Sequence, residues 1–570
     1  MVDNGCPLCG TGFENSTLAL KAPRVGEGAS GTSSALGHDL LQTSLDGQAS
    51  GGQRGVAPLH SPPGCPWTRY SRHHWLGGTV HGPLAEAVSP ATVISFCPAG
   101  RSREIRVFLF FARNTVCSLV VLLSLLAFPV RSVLASDVSA TDYPSLQAAI
   151  DANPSREIFL PSGDHRIEAT LRISSHGTSL VGPGRIVMTD PKKHIVEIEH
   201  ARDVRIEGVT LTRPEGAMDT TREGILVSDC QDVILERVKV IDNRTRSGSI
   251  RFSEVRRGRI VNCDIRNYMT ITEDDRTANV ELLGYAFRCI DGTGIVVDRS
   301  QGTLIQGNTI VEEHLRPTPE MKAEHRLGTF TKKNAKRGLL ISQEVWDAEY
   351  VNNWHQGSGL IVTGPTRSDM TRILGNQIEN AAQGIDLHSD HVIVSGNIVS
   401  NAFIGMKAMH GSRNVLITGN QFSRNDLWAI GLMSGAGASP AVPAEGEQAM
   451  VPANVDGGSL IANNIVSEFG CGDAAWIWGG AETSRAVFRF DRGQEATDPP
   501  LRDVMVTGNV ISNPDRDELT GPAAKGAEGP RYHYAVRIET GGENAPRGLH
   551  FIGNLFPAGA QGVSNLELAP

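Results

Sequence analysis

At 570 residues with 40% hydrophobic side chains, the chain is long enough to bury a sizeable core. A formal net charge of −9 leaves no basic stripe of the kind a nucleic-acid partner needs, although it allows a local basic cleft for an acidic sugar polymer. Its 62 glycines suit strands joined by tight turns.

Residues 1–101 are rich in Gly, Ser, Pro and Ala and show no sustained period of 2 or 3.6. Arg101, Arg103, Arg106 and Arg113 then precede an apolar run, Val116 to Val130, and the small-residue site Val133-Leu134-Ala135. This is the pattern of a secretory signal, and the run is short of the roughly 20 residues a membrane span requires. The expected division is an extension beyond the true start, or a disordered segment, at 1–106. A signal peptide at 107–135 and a single domain at 136–570 follow. That division places the protein outside the cell or in the periplasm, with a membrane as partner only if the leader is retained. Cys6-x-x-Cys9 has no second pair at zinc spacing. Cys230, Cys263, Cys289 and Cys471, in the domain proper, fit inward ladder positions or disulfides.

The domain opens with DYPSLQAAIDANPSREIFLPSGDHRI, in which Leu146, Ala149 and Ile150 share one face of a short capping helix. Ile158-Phe159-Leu160 reads as the first strand and His165-Arg166-Ile167 as the next. Short β-branched runs follow at 204–212, 232–243 and 258–267. Then comes a period: Gly-Asn pairs at Gly375-Asn376, Gly396-Asn397 and Gly419-Asn420, spaced by 21 and 23 residues. Related pairs stand at Asn308, Asn464, Asn509 and Asn554. A fixed step of this length predicts a solenoid, and the strand-like units predict a parallel β-helix of roughly 12–14 coils. An asparagine at each corner, tolerant of the left-handed turn, would build an internal ladder. With the opening "Q-A-A-I-D … L-P-x-G", the units resemble the pectin-lyase-like superfamily of right-handed parallel β-helices. The resemblance runs from about Thr141 to Leu555 and implies an all-β solenoid.

Four stretches break the period, at 312–356, 434–458, 479–502 and 513–532, and are expected to leave the stack as loops on one face. Aligning the second strand of successive units sets Ile385, Leu387, Met406, Ala408, Ile430 and Leu432 inward. Asp386, His388 and Lys407 then point outward. His410 and Arg413 follow at the next turn. Trp354, His355, Asp426 and Trp428 fall close by, and Arg537 and Glu539 share the outward register. Such a patch offers Lys407 and Arg413 to a uronate carboxylate, indole faces to sugar rings, and His388 or His410 as general base with Asp386 beside them. The plainer reading makes Asp386 and Lys407 a surface ion pair worth about 0–1 kcal/mol.

Asp386 and Glu539 lie four coils apart, about 19 Å, too far for the carboxylate pair of a glycosidase at about 5–9.5 Å. Asp390, Asp426 or the Glu273-Asp274-Asp275 run remain as partners for Asp386. His388 and His391 can share a metal only if the chain turns at Ser389, so no metal site is assigned. The one cofactor the resemblance implies is calcium, as in many pectate lyases, although no acidic cage stands out. The chain lacks the Gly-His-Gly and Arg-Ile-Lys pattern of polygalacturonases and the Trp-Ile-Asp-His segment of pectate lyases. The expected function is a polysaccharide lyase acting by β-elimination, or a related hydrolase or epimerase. The alternative is a non-catalytic glycan-binding or surface scaffold.

Overall fold

The computed structural model describes residues 138–570, apart from 317, 340, 353, 365–367, 436–454, 471–484, 494–497 and 513–530. The extension, the leader and Cys471 lie outside the described residues. Leu146–Ala152 is the expected helix, capped by the Ser145 hydroxyl, with Leu146, Ala149 and Ile150 turned into the core.

Each coil then carries three short strands, and every strand pairs in parallel with its counterparts in the coils before and after. The result is three sheets. The first has 13 strands, from Val138–Ser139 to Arg547–Ile552. The second has 11, from Asp164–Ile167 to Val510–Ser512. The third has 12, from Leu171–Ile173 to Gly562–Ser564. The winding is right-handed, the hand that parallel crossovers take. Because strands alternate, one side chain in two points inward, and one continuous apolar core fills the stack. Ile385, Leu387, Met406, Ala408, Ile430 and Leu432 all belong to it, as their alternation predicts.

The corner between the first and second sheets is two residues long in each Gly-Asn coil, and it divides two tasks. The glycine takes the left-handed conformation, with φ 61° at Gly375, 67° at Gly396 and 64° at Gly419. The asparagine points inward and builds the ladder, so the left-handed role expected of it belongs to its neighbour. Asn397 accepts from the backbone N–H and the Nδ2 of Asn376, both at 2.9 Å, and donates its own Nδ2 to Asn420 Oδ1 at 2.9 Å. The same exchange joins Asn308, Asn376, Asn397, Asn420, Asn464, Asn509 and Asn554. Cys263 occupies this position one coil before Asn308, whose Oδ1 accepts from its N–H. Cys230, Cys263 and Cys289 are free and buried.

In chain order the insertions fall between strands at the two borders of the third sheet and not at the Gly-Asn corner. The stretch after Val311 is more than a loop. Strands Thr270–Asp275, Tyr285–Asp291 and Phe330–Lys333 form an antiparallel sheet, joined by helices Pro319–His325 and Gln343–Ala348. Tyr285, Phe287, Cys289, Trp346 and Val351 give it a core of its own. Residues 268–292, which keep no repeat spacing, are a further insertion that the Gly-Asn period did not reveal.

Candidate functional site

Since the insertions border the third sheet, its outer face is where the chemistry has to be sought. Register places the outward side chains in a column: Ile361, Asp386, Lys407, Gly431, Arg489, Arg537. The order confirms the four-coil separation of Asp386 from the Arg537–Glu539 strand. One member was missed from sequence. Counting four coils from Asp386 to Glu539 sets one strand near residue 477, which lies outside the described residues. The strand is Ala486–Asp491, displaced by the insertion, and the alternation in AVFRFD is the signal that marks it.

Asp386 Oδ2 lies 3.3 Å from Lys407 Nζ and Asp386 Oδ1 lies 3.1 Å from His388 Nε2. The expected Asp386–Lys407 contact is therefore present, but it is no surface pair: Asp386 is 0% exposed and Lys407 4%. Charges taken out of water in this way cost several kcal/mol each before their attraction is counted. The His410 ring meets His388 edge-on, with centroids 5.4 Å apart. Burial, with the charges of His388 and Lys407 behind it, lowers the His410 pKa to about 3, so His410 is neutral at pH 7.

The other expected residues fall into separate groups. Arg413 does not join Lys407; it pairs with Asp390 at 2.7 Å, and Asp390 also holds His391 at 2.7 Å. His391 is thus engaged by Asp390. Asp426 pairs with Arg485 at 2.9 Å. Glu273 and Asp275 both reach Lys332, and Asp274 reaches Arg276, so this acidic run is engaged within the antiparallel sheet. Glu539 pairs with Arg492, while burial and the nearby Arg489 lower the pKa of Arg537. Among the described residues, no group of three His, Cys, Asp or Glu side chains is placed to hold a metal ion.

Neither tryptophan is an open platform. Trp354 packs into the core. Trp428 is 2% exposed, in an apolar cluster with Phe403, Ile404, Met409 and Met433 that is separate from the core, and the Arg489 guanidinium lies 5.0 Å above its ring. His355 sits edge-on to Phe403 at 4.9 Å, and burial lowers its pKa to about 3.

That depression fixes a pH dependence. The unfolded chain takes up a proton on His355 near pH 6.5 and the folded chain near 3, so this contribution is complete above about pH 6.5 and is lost as pH falls. Lowering pH from 7 to 5 should cost about 2 kcal/mol through His355 alone. Urea midpoints of the wild type and His355→Phe at both pH values test this. An equal drop in the two proteins would contradict it.

Around the Lys407–Asp386–His388 chain, four buried polar atoms make no hydrogen bond among the described residues: Gln383 Oε1, Trp428 Nε1, His410 Nε2 and Ser434 Oγ. Gln383 and Trp428 share one register column through Ile404, at one end of the strands. His410 and Ser434 follow the other end. They frame the charged chain on both sides, over three adjacent coils.

No protein-family model matches the sequence, and no curated protein matches it. Solved structures do align with it. One is the A-module of mannuronan C-5 epimerase AlgE4 from Azotobacter vinelandii, 12% identical over 76% of this chain and 98% of that one, at a TM-score of 0.41. DFA-IIIase from Arthrobacter chlorophenolicus A6 is 12% identical over 76% and 98%, at 0.47. The alginate lyase AlyF-OU02 is 11% identical over 75% and 88%, at 0.38. The fold rests on the chain's own three sheets: it is a right-handed parallel β-helix, the architecture of the superfamily its sequence resembles.

Proposed function

We propose that the outer face of the third sheet binds and chemically alters an acidic polysaccharide, in a protein exported by the leader at 107–135. The observation that carries this reading is the frame of four polar atoms, without a hydrogen bond among the described residues, around a buried Lys–Asp–His chain. Proteins rarely leave buried hydrogen-bonding atoms unmet, and a hydroxyl-rich ligand would meet them. In this reading Lys407 opposes the charge of a uronate carboxylate, and Asp386 holds His388 so that its free ring nitrogen takes the proton next to that carboxyl group. The electron pair left on carbon has two fates. It expels the glycosidic oxygen and leaves a C=C bond, or it recovers a proton from the opposite side and inverts the carbon. Neutral His410 is available as a hydrogen-bonding partner to the sugar, and a bound carboxylate would raise its pKa toward neutrality.

A second reading, a glycan-binding scaffold without turnover, has its own support. The charged side chains here are largely paired with one another, as in Lys407–Asp386, Arg485–Asp426 and Arg413–Asp390. The two separate on a panel of uronate and neutral polysaccharides, followed by product size, ultraviolet absorbance and sugar configuration. Shorter chains with new absorbance are the lyase result, and shorter chains without it mean hydrolysis. Altered configuration at constant length means epimerisation. Binding with no change in any polymer would remove the enzyme reading.

A further inference from the structure

The corner between the third and first sheets carries a second internal ladder. Its rungs, each four residues before a first-sheet strand or its paired register, are Ala201, Cys230, Val255, Ser300, Ser368, Ser389, Ser412, Asp456 and Leu501. At four of the Cys and Ser rungs the side chain accepts the N–H of the rung before, while Ser389 Oγ instead donates to Ser368 O at 2.9 Å. Cys230 Sγ accepts from Ala201 at 3.4 Å, Ser300 Oγ from Val255 at 2.9 Å, Ser368 Oγ from Ser300 at 3.0 Å and Ser412 Oγ from Ser389 at 3.2 Å. One acceptor is enough for this task, and serine supplies it.

Asp456 breaks the rule. Its Oδ1 does the ladder's work, accepting from Ser412 N–H at 2.9 Å, while Oδ2 accepts from Gly411 N–H at 3.0 Å. The nearby Gly435 backbone also favours the carboxyl's charged form. It is 2% exposed, and burying a carboxyl here is costly where a serine would have served the stack. What the extra acceptor gains is a hold on the chain beside one side chain. Gly411 follows His410, which is held at φ +54°, and a Cβ at Gly435 would fall 3.0 Å from His410 Nδ1.

We propose that Asp456 is a positioning residue for His410: it fixes the Gly411 backbone next to the imidazole and so sets the ring against His388. This rests on the reading of His388 and His410 as part of the sugar site, but its structural half can be tested without turnover.

The test is Asp456→Ser, which restores the ladder's usual residue and removes only the additional acceptors. Thermal unfolding should show a melting temperature equal to or above the wild type's. In NMR spectra with histidine-selective labelling, the His410 imidazole resonances should shift and its ring contact with His388 should weaken, while His165 and His200 stay unchanged. With a polymer that the wild type alters, kcat should fall about 10–100-fold with KM little changed, the signature of a misplaced reacting group. Unchanged His410 resonances, or a melting temperature lowered as far as in Asp456→Ala, would overturn the proposal. Shifted resonances with undiminished kcat would uphold the positioning and remove His410 from the chemistry.

Discussion

Replacing Asp386 by alanine is expected to destabilise the fold by about 3–5 kcal/mol, because it leaves the Lys407 ammonium buried without its partner. His388 would lose its carboxylate contact in the same step. The combined change Asp386→Leu with Lys407→Met should recover most of that loss, since a buried ion pair replaced by apolar side chains of similar volume is often neutral or stabilising. Urea unfolding of the single and double variants measures both values. Recovery in the double variant would mean that the stack does not need the pair, which leaves ligand chemistry as its reason for being there. A double variant as unstable as Asp386→Ala would make the pair a structural element and favour the scaffold.

The asparagine ladder should show a comparably large effect. Asn397→Ala removes the acceptor of two Asn376 groups and the donor to Ile373 O and Asn420 Oδ1, all of them buried. Each buried group left unmet costs about 1–3 kcal/mol, so a loss of roughly 3 kcal/mol or more is expected. Asn554, the last rung, makes similar bonds but is only half-buried, and water can replace part of what it gives. Asn554→Ala should therefore cost about 1 kcal/mol by the same reasoning. Equal losses at the two positions in denaturant titrations would contradict a ladder whose strength comes from burial.

Much of this architecture can be read from the sequence, because a solenoid repeats its physics at short range. The Gly-Asn spacing marks a corner of constant length, and alternation in IDLH and MKAM separates core from surface without knowledge of distant contacts. The register of Asp386 over Lys407 follows from the same arithmetic. Burial does not. Whether an outward side chain meets water depends on what packs over it, and the stretches between the regular strands have no period. For that reason Asp386 and Lys407 were expected at the surface and are buried, and Trp428 was expected as an open stacking face and is covered. Arg413 was misplaced for a simpler reason: it belongs to the corner beyond the strand, where Asp390 is its neighbour one coil away. Asp456 stood after an irregular stretch, and only the serine ladder shows that it occupies a serine's place.

The most direct measurement of the central claim is steady-state turnover by the wild type, His388→Ala and Lys407→Met on whichever uronate polymer the wild type alters, with melting temperatures taken alongside. The account predicts a loss of about 10²–10⁴-fold for His388→Ala, the range for removing a general base, with its melting temperature nearly unchanged. Lys407→Met should also lose turnover, with weakened binding of the acidic polymer. Full turnover in both folded variants would contradict the account and move any chemistry away from the outer face of the third sheet.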